Sequence, residues 1–191
     1  MPATTISLIG MPGAGKSTIG VVLAKLSGLR FVDTDLDIQV AMGTTLQQIL
    51  DSKGHLHLRS VEQEVVLGVA LEDAIIATGG SVVYSEAVME KLKTAGPVVY
   101  LEADLASLQQ RVAAAPLRGI ACAAGESFAD IFTQRTPLYK HYADLVVDAT
   151  AGTPETVATT ILQALAFPDA SGQVRPAKTT GNRPDTPPKT R

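Results

Sequence analysis

Short apolar runs alternate along this chain with longer stretches of helical spacing. Runs at 6–9, 30–33, 74–78, 98–101 and 145–148 are apolar or nearly so, the pattern of strands buried on both faces. Between them, 16–26 sets Ile19, Val22, Leu23 and Leu26 on one helical stripe. In 58–71, Val61, Val65 and Leu67 or Gly68 recur at helical intervals among Glu62 and Glu64. Thr153 followed by Pro154 reads as an N-cap and a first-turn proline opening a helix over 155–165. Ser127-Phe128-Ala129-Asp130 reads as a capping-box variant opening a helix towards Tyr139. Strands separated by helices predict right-handed βαβ units, hence an α/β fold with a five-stranded parallel sheet flanked by helices. Ligands on such sheets sit outside the carboxyl ends of the strands.

Two segments break the alternation. Residues 113–125 are rich in Ala and Gly, hold Pro116 and Arg118, and lack a clear period, which predicts a loop or lid over about 113–127. From Pro168 onward five of the 11 prolines fall among Thr, Lys and Arg, predicting a basic, disordered tail (167–191) after a domain spanning 1–166. Hydrophobic residues make up 46% of the 191, which is enough for one packed domain, and only 4% are aromatic, so branched aliphatics must fill the core. The net charge of −3 hides a tail of +3 on a body of −6, and an acidic body argues against a nucleic-acid-binding face. A single cysteine, Cys122, excludes an intrachain disulfide and fits a reducing cytosol. No apolar run near the N-terminus is long enough for a signal peptide or membrane span, so a cytoplasmic protein is expected.

The chemistry begins at Gly10-Met11-Pro12-Gly13-Ala14-Gly15-Lys16-Ser17, which meets the pattern G-x-x-x-x-G-K-[ST] between a predicted strand and a predicted helix. In such a loop, backbone N–H groups of residues such as Gly13, Ala14, Gly15 and Thr18 curl around phosphate oxygens, and the helix dipole adds to them. Lys16 is expected to reach the β- and γ-phosphates of ATP, and the Ser17 hydroxyl to hold Mg²⁺. Asp33-Thr34-Asp35 follows the second strand, and in an extended segment its two carboxylates share a face. One can serve the Mg²⁺ shell and the other a substrate hydroxyl, while a turn is the structural alternative.

With these residues in order, the chain resembles the shikimate kinase family over about residues 4–166. Further marks are Arg59 with Glu62, Ala77-Thr78-Gly79-Gly80, Val99-Tyr100-Leu101, Arg111, Arg118, and Arg135-Thr136-Pro137-Leu138-Tyr139. The resemblance implies a three-layer P-loop NTPase fold and transfer of the ATP γ-phosphate to the 3-hydroxyl of shikimate. It implies that Asp35 binds and orients the acceptor hydroxyl, that Asp33 acts through the metal's water shell, and that Arg59 and Arg135 clamp the carboxylate. By the same resemblance, Glu62 steadies Arg59, Gly79 and Gly80 let backbone approach the substrate, Arg118 closes over the phosphates, and Arg111 lies against adenine. It also implies a monomer. Guanidinium forks suit carboxylates, and a loose phosphoryl-transfer transition state needs positioning and positive charge more than a strong base.

The sequence departs from the family pattern on the acceptor side. Ser81 stands where a third glycine is usual, and its hydroxyl would crowd or hydrogen-bond a ligand there. Leu50 and Leu58 stand where phenylalanines are common, and His55 replaces an acid. The lid reads Arg118-Gly119-Ile120-Ala121, without the usual proline, which predicts a more flexible loop. His55 and His57 lack a third metal ligand, and Cys122 is read as inert. Two alternatives accompany the shikimate reading. One is a related kinase of another hydroxylated carboxylic acid or polyol (gluconate-kinase-like), and the other a non-catalytic ATP-binding relative.

Overall fold

The computed structural model describes residues 5–115, 119–123 and 125–166. Five strands, β1 (Ile6–Ile9), β2 (Arg30–Asp33), β3 (Ala74–Ala77), β4 (Val98–Glu102) and β5 (Leu145–Asp148), form one sheet in the order β2-β3-β1-β4-β5. Every pairing is parallel. The helices are α1 (Lys16–Ser27), α2 (Thr34–Met42), α3 (Leu46–Gly68), α4 (Glu86–Ala95), α5 (Leu105–Ala113), α6 (Phe128–Tyr142) and α7 (Pro154–Ala164). A 3-10 turn at Val82–Tyr84 follows β3. All residues of β1 and β3 are buried, as the continuous apolar runs predict for strands covered on both faces.

Local chemistry starts α6 and α7 where the sequence says it should. Thr153 caps α7 with Pro154 in its first turn, and Ser127 and Asp130 form the reciprocal capping box of α6. On α1 the buried stripe is Ile19, Gly20, Leu23 and Ala24, so the expected Leu26 turns outward and is 36% exposed. At the far end of α3, Lys91 of α4 donates to the carbonyls of Val66, Leu67 and Val69 at 3.1, 2.7 and 2.7 Å, satisfying carbonyls that the helix end leaves open.

The segment 34–57 carries more structure than its pattern suggests. Helix α2 and the first half of α3 bury Ile38, Leu46 and Ile49 with Leu58, Val61 and Ala121 in a small cluster separate from the sheet core. Gly54, at φ +78°, kinks α3 inside this lobe. Ala121 belongs to the stretch expected to be a loop or lid, and it is buried in this cluster. The Gly119 N–H donates to Gln47 Oε1 at 3.0 Å, and the buried Arg135 side chain donates to the Ala121 carbonyl. A Cβ at Gly119 (φ +62°) would lie 2.6 Å from the backbone of Leu46, so neither a proline nor any other side chain fits at that point of the loop. Arg118 and the expected tail 167–191 lie outside the described residues.

Candidate active site

The carboxyl ends of β1, β2 and β3 open onto one cleft of about 650 Å³. The loop 10–17 forms its floor, with Gly13 and Gly15 at positive φ. Helices α2 to α7 each begin with a side-chain cap, from Asp33, Thr45, Ser85, Asp104, Ser127 and Thr153. Helix α1 has none, and no acidic residue stands in its first turn. Its first N–H groups are thus left for an anion, and the helix dipole favours one there. Gly13, Ala14, Gly15, Lys16, Ser17 and Thr18 all line the cleft at this end. Lys16 is buried, and its Nζ donates to the carbonyls of Gly10 and Met11 at 2.8 and 3.0 Å. Burial lowers its pKa to about 8, against the opposing pull of Asp35, Asp33 and Glu62. Beside Gly13 the cleft is lined by Arg111, Ala149, Gly152 and Pro154. The Arg111 guanidinium reaches the carbonyls of Gly13 and Ala149 at 3.4 Å each.

The other wall is built by α2, α3, α6 and the turn after β3. The extended-segment argument for the two aspartates is corrected here, because β2 ends at Asp33 and Asp35 already belongs to α2. Asp33 caps that helix, its Oδ1 accepting from the Asp35 N–H at 3.1 Å, and the helical turn carries Asp35 into the cleft. Thr34 between them is fully buried, and its hydroxyl accepts from the Gly79 N–H at 3.1 Å, tying the second strand's end to the third's. A Cβ at Gly79 would lie 1.9 Å from Glu62 Oε1 and 3.0 Å from Asp35 Oδ1. The glycine therefore admits the chain's own two carboxylates over its backbone.

Ser81 does not crowd the cleft as the sequence suggested. Its hydroxyl turns to the buried carboxylate of Glu62 and donates to it. Glu62 in turn forms no ion pair with Arg59, contrary to expectation. The Arg59 guanidinium lies 4.0 Å above the Tyr84 ring and lines an adjoining cavity of about 350 Å³. Arg135 is almost completely buried and faces the main cleft, its Cζ 5.3 Å from the same ring. Tyr139, four residues on, donates to the Gly80 carbonyl at 2.5 Å and stacks on Tyr100. Thr34, Tyr84 and Tyr139 were given no role by the sequence reading. Each acts by bracing backbone or guanidinium from outside the motif it supports, so spacing along the chain carries no sign of it. Leu50 and Leu58 line the cleft with Ile38 and Leu46 as an apolar wall.

Two expectations follow. Gly79→Ala forces its methyl into both carboxylates, so kcat/KM for the acceptor should fall on the order of 10²-fold with little change in Tm, since only flexible side-chain ends must move. Steady-state kinetics beside thermal unfolding check this, and unchanged acceptor kinetics would refute the placement. The second concerns pH. Burial raises the Glu62 pKa from 4.5 to about 7, with the Ser81 hydrogen bond pulling the other way. A raised acid favours the native state while protonated, so its contribution to stability is present below 4.5 and is lost as pH rises to about 7. The loss should be on the order of 3 kcal/mol and absent in Glu62→Gln, as read by urea unfolding of both proteins at pH 4.5 and pH 8.

A parallel sheet whose first strand runs through a glycine loop and a buried lysine into an uncapped helix, facing carboxylates and an arginine across one cleft, defines a P-loop phosphotransferase. The family model for shikimate kinase matches residues 12–166. The chain is 34% identical over 171 residues to shikimate kinase 2 of an Enterobacter species, covering 87% of this chain and 98% of that one. It is 37% identical over 168 residues to shikimate kinase 2 of Yersinia pseudotuberculosis, covering 84% and 95%. Among solved structures, shikimate kinase from Acinetobacter baumannii in complex with shikimate superposes with a TM-score of 0.74 at 30% identity, covering 84% of this chain and 91% of that one. Shikimate kinase from Aquifex aeolicus gives 0.70 at 28% identity, covering 84% and 94%. The chain belongs to the shikimate kinase family and is an ATP-dependent kinase.

Proposed function

We propose that this enzyme transfers the γ-phosphoryl group of ATP to the 3-hydroxyl of shikimate. The observation that carries the reading is the division of one cleft into two chemically distinct ends. One end is an anion-ready helix terminus with a buried lysine, the other a carboxylate pair beside a buried guanidinium. A hydroxylated carboxylate matches the second end, its hydroxyl to Asp35 and its carboxylate to Arg135. Arg59 would join that clamp from the adjoining cavity, Gly79 and Gly80 would contact the acceptor, and Arg111 would flank the adenine. Arg118 is assigned to closure over the phosphates.

Ser17 and Asp33 fit Mg²⁺ by their donor chemistry, a hydroxyl and a carboxylate with one oxygen engaged at 3.1 Å, and hard oxygen donors are what Mg²⁺ selects. The ion, once bound with nucleotide, supplies charge neutralisation at the β- and γ-oxygens. The chain's own share is to hold the phosphates on the α1 terminus, place Lys16 beside the migrating group, and keep the acceptor hydroxyl against Asp35. We read 1–166 as the kinase domain with 167–191 as an appended tail, and the protein as a cytoplasmic monomer. Among the described residues no helix is long and apolar enough to cross a membrane.

ADP release from ATP should depend on shikimate, and on Mg²⁺, when a panel of hydroxy acids and polyols that includes gluconate is compared by kcat/KM. Turnover with another acid and none with shikimate would overturn the acceptor. Nucleotide binding with no turnover of any acceptor would overturn the transfer itself.

A further inference from the structure

Arg59 and Glu62 stand three residues apart on α3, the spacing at which opposite charges on a helix pair. They do not. Glu62 points to Ser81 instead, and Arg59 Nε is buried without a hydrogen-bond partner while its guanidinium lies on the Tyr84 ring. Among the described residues only two, Glu62 and Ser81, belong to the linings of both the main cleft and the smaller cavity. Their hydrogen bond is thus the wall between the cavities. On the cleft side of that wall Glu62 Oε1 and Asp35 Oδ1 both converge on Gly79; on the other side lies Arg59.

We propose that Ser81 is a positioning residue for the acceptor: its hydroxyl holds Glu62 beside Asp35 and off Arg59, leaving Arg59 to be carried by Tyr84. A buried carboxylate must find donors, and one robbed of a donor turns to the nearest cation it can reach. Arg135 and Lys16 already act on Glu62 from the cleft side, and the cation left at pairing distance on its own helix is Arg59, one turn back. The swing would empty the acceptor end of one carboxylate, draw Arg59 off the phenol ring, and join the two cavities. Tyr84 fits the part of alternative holder, because its ring faces Arg59 at 4.0 Å and its hydroxyl accepts from Arg135 Nε at 3.4 Å. One aromatic thereby sets the spacing of both guanidiniums.

The functional half of this inference rests on a carboxylate-bearing acceptor as proposed above, and the structural half does not. In Ser81→Ala the acceptor KM should rise about tenfold with the KM for ATP unchanged. A crystal structure of ligand-free Ser81→Ala should show Arg59 paired with Glu62 and the two cavities joined. Should that variant fold poorly, Ser81→Gly removes the same hydroxyl and is expected to give the same two results. An unchanged acceptor KM, an equal rise in both KM values, or a structure with Arg59 still on Tyr84 and Glu62 unmoved overturns the proposal. Wild-type protein assayed alongside separates the two readings. If it fails to turn over shikimate, the acceptor assignment falls while the crystal structure still decides the role of Ser81.

Discussion

Lys16→Met should lower kcat by about 10³-fold or more while leaving the fold intact. Methionine keeps most of the length and apolar volume of the lysine stem, so the change removes little besides the ammonium. In the ligand-free protein that ammonium is held by the carbonyls of Gly10 and Met11 at 2.8 and 3.0 Å, poised within the phosphate loop rather than paired with an acid. Its pKa of about 8 says that burial weighs against the charge even with Asp35, Asp33 and Glu62 nearby. Removing a charge that burial already disfavours costs little folding energy, and the loss falls on the state where negative charge migrates between oxygens. The same pKa predicts that wild-type kcat/KM for ATP declines above about pH 8, as the lysine of the free enzyme deprotonates. Single-turnover phosphoryl transfer and a thermal melt on the same preparation check the claim. A kcat within tenfold of wild type would remove Lys16 from the chemistry, and a large drop in Tm would make it a structural residue.

Asp35→Asn should cost about 10²- to 10³-fold in kcat and weaken the acceptor, with the KM for ATP within a few-fold of wild type. Asparagine has the shape of the aspartate and keeps its place in the first turn of α2, so the substitution isolates the charge and its proton affinity. The site makes that charge consequential twice. Asp35 is the largest of the charges that raise the Lys16 pKa, so its loss also leaves the lysine easier to deprotonate. It also sits with Glu62 over Gly79, where the acceptor hydroxyl must lose its proton as the phosphoryl group arrives. Because the transition state is loose, orientation is the larger part of the effect, and a base alone would give less. A raised KM for ATP with unchanged acceptor kinetics would instead place Asp35 on the nucleotide side.

The acceptor end was legible in the sequence as a set of residues, and much less as a set of contacts. Asp35, Arg135, Gly79 and Gly80 were named from order along the chain, and all four line the same cleft. The partners assigned to them were less secure. Arg59 and Glu62 satisfy the helical spacing of an ion pair, yet Ser81, which lies on the turn after β3 and not on their helix, competes for the carboxylate and takes it. Asp35 reaches the cleft for a reason the strand pattern did not contain, since the chain turns helical after Asp33, which caps the helix. The contact at Gly119 escaped the sequence for a related cause. Glycine in a periodless stretch reads as freedom, whereas here it is demanded by the backbone of Leu46 packed against it.

The phosphate loop, the five strands in chain order, the caps of α6 and α7, and the family were determined by the sequence alone. Each of these depends on neighbours within a few residues, or on alternation along the chain, and a one-dimensional pattern records such things fully. The position of Glu62 between Ser81 and Asp35, the sharing of Tyr84 by two arginines, and the small separate core under the acceptor wall were decided only in three dimensions. They join residues up to 76 positions apart, counting Arg59 to Arg135, through packing that satisfies buried charge as a group. The terminus of α1 belongs to both accounts. Its glycines and lysine are written in the sequence, but that it alone among the seven helices of the described residues lacks a side-chain cap emerges only when every other one of them has found its own.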